Sequence, residues 1–404
     1  MLNVPTAATG PFQYRDFRVL SLGTVLSSLG ITAESLVVGW FVLNTTDSPF
    51  MVGLVLGLRM VPNALFGVPA GVVADIVNRP RFIAFLSAAM AIPTAALGLL
   101  IMADAAELWH VIVLTFVLST LQVFDNTARA SFVYDIVGKT AAIQGLATMS
   151  LMGRIGRVVG ALAVGFIIAR QGQDAAFFVA SAFFALTAVT MIGVRSRGQA
   201  APVVRVSARR AIGEFAGELR TNRVLLTLVA TTGAVEIFGF SHKVLLPSLA
   251  RDVLDVGAEG LGIMNGVGSL GGVLGIVFLS VGGQTTRKGM AYLATILVFG
   301  VCLMLLGVTT SFLLVLLVLA MLNAMMALSD TLSQGLMQLA VPNEFRGRAM
   351  GSWMLALGAG PLGTLQMGAL ASLGSVTLAL SVNGLGLVAL ALAITAIAPL
   401  VRRI

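Results

Sequence analysis

Charge is what this chain has least of. Asp, Glu, Lys and Arg make up 10% of its 404 residues, against about a quarter in a soluble domain. A water-facing surface cannot be built from so few charges, which excludes a soluble globular protein. Cysteine is nearly absent too: Cys302 stands alone in an apolar run, so no internal disulfide can form and the compartment is left unmarked. With only two histidines, His110 and His242, no Cys- or His-rich metal site can be assembled, and neither a metal nor any other cofactor is expected. The N-terminus lacks the order of basic segment, short apolar core and small-residue cleavage site, so its first apolar run is expected to be a retained span.

What the chain has is apolar length: 58% of its residues are hydrophobic and 45 are glycine, a residue more frequent in membrane-spanning helices than in soluble ones. About 30 Å of hydrocarbon needs roughly 20 apolar residues per helical crossing. Twelve such runs occur, near 18–44, 49–74, 81–103, 108–131, 141–169, 174–194, 223–247, 258–282, 289–309, 311–338, 347–372 and 376–400. They are continuously apolar, without the ten-residue alternation of a barrel strand, so the fold class is an all-α membrane protein embedded in the bilayer.

Basic residues set the orientation. Alternate connections carry Arg15 and Arg18; Arg79 and Arg81; Arg129 and Lys139; seven Arg from 195 to 223; Arg287 and Lys288; Arg346 and Arg348; Arg402 and Arg403. The intervening connections hold only Arg170 and Arg251. This places both termini and the central loop in the cytoplasm, and the protein in the cytoplasmic (inner) membrane. The same confinement to loops argues against nucleic acid as the reason for the formal charge of +8. In the central loop, Ile212, Phe215, Ala216 and Leu219 recur at helical spacing, with Arg209, Arg210, Glu214 and Glu218 off that face, as in a helix lying on the membrane surface.

That loop divides the chain into an N-terminal six-helix bundle (1–194), a linker (195–222) and a C-terminal six-helix bundle (223–404). An offset of 209 pairs Gly53 with Gly262, Gly57 with Gly266 and Arg79 with Lys288, while 205 pairs Asp125 with Asp330. Six spans on each side and these matches read as a duplicated unit, a transporter arrangement.

Of 17 acidic residues, four lie well inside spans: Glu34, Asp125, Glu236 and Asp330, in the first and fourth spans of each half. An ionised carboxylate facing lipid is heavily penalised, whereas one bordering water is tolerated, and partial desolvation favours its protonated form. Such groups can take a proton on one side and release it on the other. They can instead be structural partners of buried cations or helix caps. For Asp125, with Arg129 one turn on, both readings stand; Glu34 and Glu236 have no basic residue one turn away, which favours function. His242 and Lys243 lie about two turns beyond Glu236, where Lys243 can snorkel to the headgroups. Arg59, inside the second span, needs a partner, and Glu34 is a geometrically possible one. Arg154 and Arg157 lie on the fifth span, with structural pairing expected for Arg157.

Two nucleotide-like patterns are declined. GVGSLG at 266–271 sits inside an apolar run with no preceding strand, and GKT at 138–140 has Val133 where a P-loop needs its first glycine. Gly53/Gly57, Gly67/Gly71, Gly156/Gly160, Gly262/Gly266 and Gly271/Gly275 are spaced for close helix packing. In GVVADIVNRPR, Asp75 is placed to meet a helix N-terminus, and Arg79 to pair with an acid at a neighbouring helix end.

That segment, Gly71 to Arg81, resembles the G-x-x-x-D-x-x-G-R-[RK] signature between the second and third helices of the major facilitator superfamily, with Asn78 for the usual glycine and Pro80 before Arg81. VPNEFRGRAMG, Val341 to Gly351, and the stretch from 245 to 275 resemble the branch of enterobactin-exporter-like and macrolide-efflux-like proteins. The resemblance runs from about Phe17 to Arg403. It implies two pseudo-symmetric six-helix bundles whose first, fourth, seventh and tenth helices line a central cavity, and rocker-switch export of amphipathic molecules against protons. The fifth-helix antiporter signature is altered: Gly156, Gly160 and Gly165 are present, but Ala161 stands for proline and Val164 for a glycine.

The expectation is a non-enzymatic exporter of a small-molecule substrate (lipophilic or cationic drugs, or a secreted metabolite such as a siderophore) in exchange for protons. Glu34 and Glu236 would couple protons or pair a cation, with Asp125 and Asp330 nearer the inner gate. Asp75, Arg79, Arg81, Arg346 and Arg348 would bias conformation, and Trp40, Phe41, Phe238 and Phe240 would line the cavity, with an interfacial anchor the equal alternative for Trp40. An importer or facilitator of the same fold, and a lipid-handling or scaffold protein that moves nothing, are the alternatives.

Overall fold

The structure, a computed structural model, describes residues 10–196, 222–281, 287–341 and 346–398. All regular structure among them is helical. Twelve helices are long and apolar enough to cross a membrane: α1 Arg15–Thr46, α2 Pro49–Gly67, α3 Arg79–Met102, α4 Leu108–Gly138, α5 Gln144–Gln171, α6 Gln173–Ile192, α7 Arg223–Val253, α8 Gly257–Leu279, α9 Lys288–Val308, α10 Phe312–Leu339, α11 Gly351–Leu373 and α12 Val376–Ile397. Each overlaps one run read from the sequence. The surface helix expected in the central loop lies outside the described residues.

Short polar side chains start several of these helices by accepting from an otherwise unpaired first-turn N–H. Ser48 accepts from the Met51 amide, Asn78 from Arg81, Asn222 from Leu225 and Ser375 from Leu378. Asn78 therefore replaces the signature's glycine with a working cap, and Pro80 in the first turn needs no N–H partner.

Among the described residues, three spans are interrupted. The second breaks at Arg59–Met60 into Pro49–Leu58 and Val61–Ile76, just ahead of Pro62. The eleventh breaks at Gly358–Ala359 into Arg346–Leu357 and Gly360–Leu373, ahead of Pro361. Proline cannot donate to the preceding turn and disfavours helical backbone before it, so a break falls there. Between α4 and α5 the backbone turns at Gly138, with φ 73° and ψ 170°, a conformation that glycine alone adopts without strain. The most irregular span is α7: regular helix ends at Phe238, a tight 3-10 segment covers Phe240–Leu245, and a wide turn covers Leu249–Val253.

The described residues form two compact units, one of 10–38 and 62–196, the other of 39–61 and those from 222 onward. The units thus differ from the two sequence halves in where 39–61 belong. In lipid, burying apolar surface between helices gains little, and close van der Waals contact must supply cohesion. In the first unit α3 packs on α6, with Gly98 against Phe177 and Phe178. α5 lies on α1 so closely that a Cβ at Gly156 would come within 2.6 Å of the Val25 carbonyl oxygen. Phe17, Leu20, Ile83, Phe132 and Met149 fill a core beside these contacts. In the second unit α9 packs on α12 through Gly300 and Gly384, each facing the other's carbonyl oxygen, and α8 lies on α10 with Gly271 and Gly275 against Ala320 and Ala324. Third helix on sixth is the pairing in both halves. Gly53 and Gly57 seat the first half of α2 on Thr364 and Gly368 of α11. Gly67 and Gly71 do not serve as a packing pair, since a Cβ at either would meet nothing within 4 Å.

Candidate functional site

Glu34 is fully buried, Asp125 is 1% and Glu236 5% exposed, and Asp330 is half-buried.

In the first unit, α4 carries both members of an ion pair. The Nε of Arg129 donates to Asp125 Oδ2 at 2.6 Å, one turn apart. The rest of the guanidinium reaches Thr24 of α1 and Ser87 of α3, each at 3.4 Å. Arg129 is itself 5% exposed. Asp125 is therefore the structural partner of a buried cation. Removing either member alone would leave a buried charge uncompensated.

The second unit gathers the other chemistry around the break in α7. A Cβ at Gly239 would lie 2.7 Å from the Phe299 ring, and one at Gly363 would lie 2.6 Å from the Ile237 carbonyl oxygen, so α9 and α11 close on the break only because these positions lack side chains. Regular helix stops at Phe238, two residues after Glu236. Glu236 Oε2 lies beside Gly360, in the first turn of the second half of α11, where helix N-termini favour negative charge. Met60, at the break in α2, meets the same glycine. Glu236 is within electrostatic reach of Lys243 and of Asp330. Tyr292 of α9, wholly buried, places its hydroxyl 3.3 Å from Thr232 Oγ1, with the hydroxyl of Ser329, next to Asp330, as a further polar neighbour. His242 is buried with Nδ1 2.7 Å from the Gly239 carbonyl oxygen, while Lys243 is exposed and lies over the Phe240 ring. Two acids, a phenol and a broken helix thus share one region, an arrangement that can bind a proton or a cation and change shape as it does so.

The remaining sequence candidates separate. Arg79 is buried and donates from Nη1 to both oxygens of Asp135 at 2.6 Å, from Nη2 to Asp75 at 3.3 Å and from Nε to the Ala74 carbonyl. Asp135, near the end of α4, is the neighbouring acid that the sequence left unnamed. Arg81 is exposed. The side chains of Arg346 and Arg348 lie outside the described residues. Arg59 ends the first half of α2. Gly156 and Gly160 of the fifth-helix signature are spacers against α1, and Gly165 is buried. Arg157 departs from the pairing expected of it: it is exposed, and its charged neighbour is the like-charged Arg154. Trp40 and Phe41 are each 8% exposed, so Trp40 is not an interfacial anchor.

Sequence reasoning also missed a second arginine knot. Arg251 pairs with Asp47 and Asp252 and donates to the Leu43 carbonyl, tying the α1–α2 connection to the end of α7 inside the second unit. Its signal was present: Arg251 is one of only two basic residues on the connections assigned to the far side. Among the described residues, no group of three or more His, Cys, Asp or Glu could hold a metal ion.

Over residues 6–402 the chain matches the family described as transmembrane secretion effector. The Staphyloferrin A transporter of Staphylococcus aureus (strain NCTC 8325 / PS 47) is 24% identical over 375 residues, covering 91% of this chain and 90% of that protein. Among solved structures, the nucleoside transporter NupG superposes with a TM-score of 0.72 at 14% identity, over 95% of this chain and 98% of that one. A POT family transporter in complex with 5-aminolevulinic acid gives 0.78 at 12%, over 96% and 97%. A bacterial homolog of the human lysosomal transporter Spinster gives 0.70 at 15%, over 96% of each chain. These three likenesses concern the fold alone.

Proposed function

Because the chain belongs to the transmembrane secretion effector family of the major facilitator superfamily, whose members are membrane transporters of small molecules and not enzymes, we propose that it is a secondary active exporter driven by proton antiport. Its substrate class is small amphipathic molecules, either drugs or a secreted metabolite such as a siderophore. The single observation that carries the coupling is Glu236: a carboxylate 5% exposed, at a broken helix, in electrostatic reach of a second acid. A carboxylate withdrawn from water beside a second acid can hold a proton until a change of surroundings releases it. Glu34, fully buried in the first unit, is the second proton or cation site. The description of the family as a secretion effector supports export, and the 24% identical relative supports a siderophore-like substrate.

The distribution of basic residues supports placement in the cytoplasmic membrane with both termini inside. Asp75, Arg79 and Asp135 act as a latch on that side, formed in one conformation and broken in the other.

An accumulation and susceptibility panel in an efflux-deficient host identifies a substrate. Flux of that substrate in inside-out vesicles, with and without a pH gradient, then tests the mechanism. Gradient-dependent uptake into the vesicles is expected. Equal flux under both conditions would point instead to an uncoupled facilitator, and reversed flux to an importer.

A further inference from the structure

Tyr292 stands out because its position asks for an explanation that helix packing does not supply. Among the described residues it is the largest side chain wholly removed from the surface, and a buried phenol must find hydrogen-bond partners. Its partners lie on the two helices that carry the acids. Thr232 precedes Glu236 by one turn on α7, and Ser329 precedes Asp330 by one residue on α10.

The direction of the bonds follows from the hydroxyl protons available. Thr232 spends its proton on the Leu228 carbonyl at 2.8 Å, so toward Tyr292 it can only accept. Tyr292 therefore donates to Thr232, and its oxygen is left to accept from the neighbouring Ser329 hydroxyl. The chain runs one way, from Ser329 through Tyr292 and Thr232 to Leu228, and ends on a backbone carbonyl. It is no proton wire to Glu236. It is a strut of fixed polarity that sets the register of α7 against α10 at the level of the acids.

We propose that Tyr292 is a positioning residue for proton binding: its hydroxyl holds Glu236 and Asp330 at a fixed mutual disposition, so that the two titrate as one coupled unit. This rests on the reading of Glu236 as a proton site. Among the described residues, the charged and titratable groups in electrostatic reach of Glu236 are Lys243 of α7, Asp330 of α10 and Tyr292 itself, with His242 next to Lys243 on the same broken span. Without the strut, the separation of the acids and the polarity between them both change, and the coupled titration must move.

The test needs no substrate. The carboxyl stretching band of the purified full-length protein is followed by infrared spectroscopy across pH, and the Glu236→Gln variant identifies the part belonging to that residue. Tyr292→Phe keeps the ring and removes the hydroxyl. Thr232→Val removes the same bond from its other end. Each is expected to move the midpoint of the Glu236 band by about half a pH unit or more, because the two acids lose their fixed separation. The double variant should move it no further than either single one. A lowered melting temperature with an unmoved midpoint, in whichever variant folds, overturns the positioning role and leaves Glu236 as the proton site. A spectrum in which Glu236→Gln removes no titrating band overturns the reading beneath it as well.

Discussion

The acid of α4 and the acid of α7 occupy matching depths of chemistry but opposite surroundings. Asp125 meets Arg129 at 2.6 Å within its own helix, and that arginine is steadied by Thr24 and Ser87. Glu236 is buried to a similar degree, yet its cationic neighbour Lys243 is exposed, and its surroundings also include another carboxylate, a buried phenol and the start of a half-helix. A buried charge beside an opposite charge is spoken for, and changing its protonation would break a structural pair. A buried acid beside a second acid is poised to share a proton. The contrast separates a residue that holds the first unit together from one able to do work in the second.

The largest effect that can sharpen this contrast comes from Glu236→Gln, an isosteric change that cannot ionise. It is expected to lower gradient-driven transport at least tenfold, while the protein reaches the membrane in normal amount and melts normally. Next comes the structural pair. Arg129→Met leaves Asp125 as a lone buried charge and should destabilise the protein by about 3–5 kcal/mol, seen as a lower melting temperature in detergent. Adding Asp125→Leu to it should restore most of the loss, because an apolar pair of similar volume avoids the desolvation of two ions. If the double variant regained stability but lost all transport, Asp125 would belong with the working acids.

Smaller effects come from the two arginine knots. Arg79 is buried and grips Asp135 with two equal bonds, so Arg79→Ala should cost about 1.5–3 kcal/mol, read as a melting shift. Arg251 also lies between two aspartates, but Asp47 is 85% exposed. Solvent screens such a pair, and Arg251→Ala should cost less than about 1 kcal/mol. Equal shifts for the two would mean that burial does not distinguish the knots.

Much of the fold was legible because the bilayer enforces it. Run length alone located twelve helices among the described residues, and Glu34, Asp125, Glu236 and Asp330, isolated in apolar sequence, all fall within those spans. The breaks in α2 and α11 were hidden, since Arg59-Met60 and Gly358-Ala359 read as ordinary apolar sequence and only the prolines at 62 and 361 hinted at interruption. Which small-residue pairs pack was equally unreadable: Gly156 touches backbone and Gly71 faces open space, although both obey the same spacing. Partners distant in sequence, such as Arg79 with Asp135 or Tyr292 with Thr232, depend on helix rotation, which spacing does not encode. Tyr292 nevertheless carried a signal, since a phenol inside an apolar run must find polar company.

The measurement that bears most directly on Glu236 compares two modes of transport in the same inside-out vesicles, using a substrate that the wild type moves. One mode is accumulation driven by a pH gradient; the other is exchange of labelled for unlabelled substrate at equilibrium, which needs no net proton movement. If Glu236 binds the coupling proton, Glu236→Gln loses the first and keeps the second. Full gradient-driven accumulation by that variant would contradict the account.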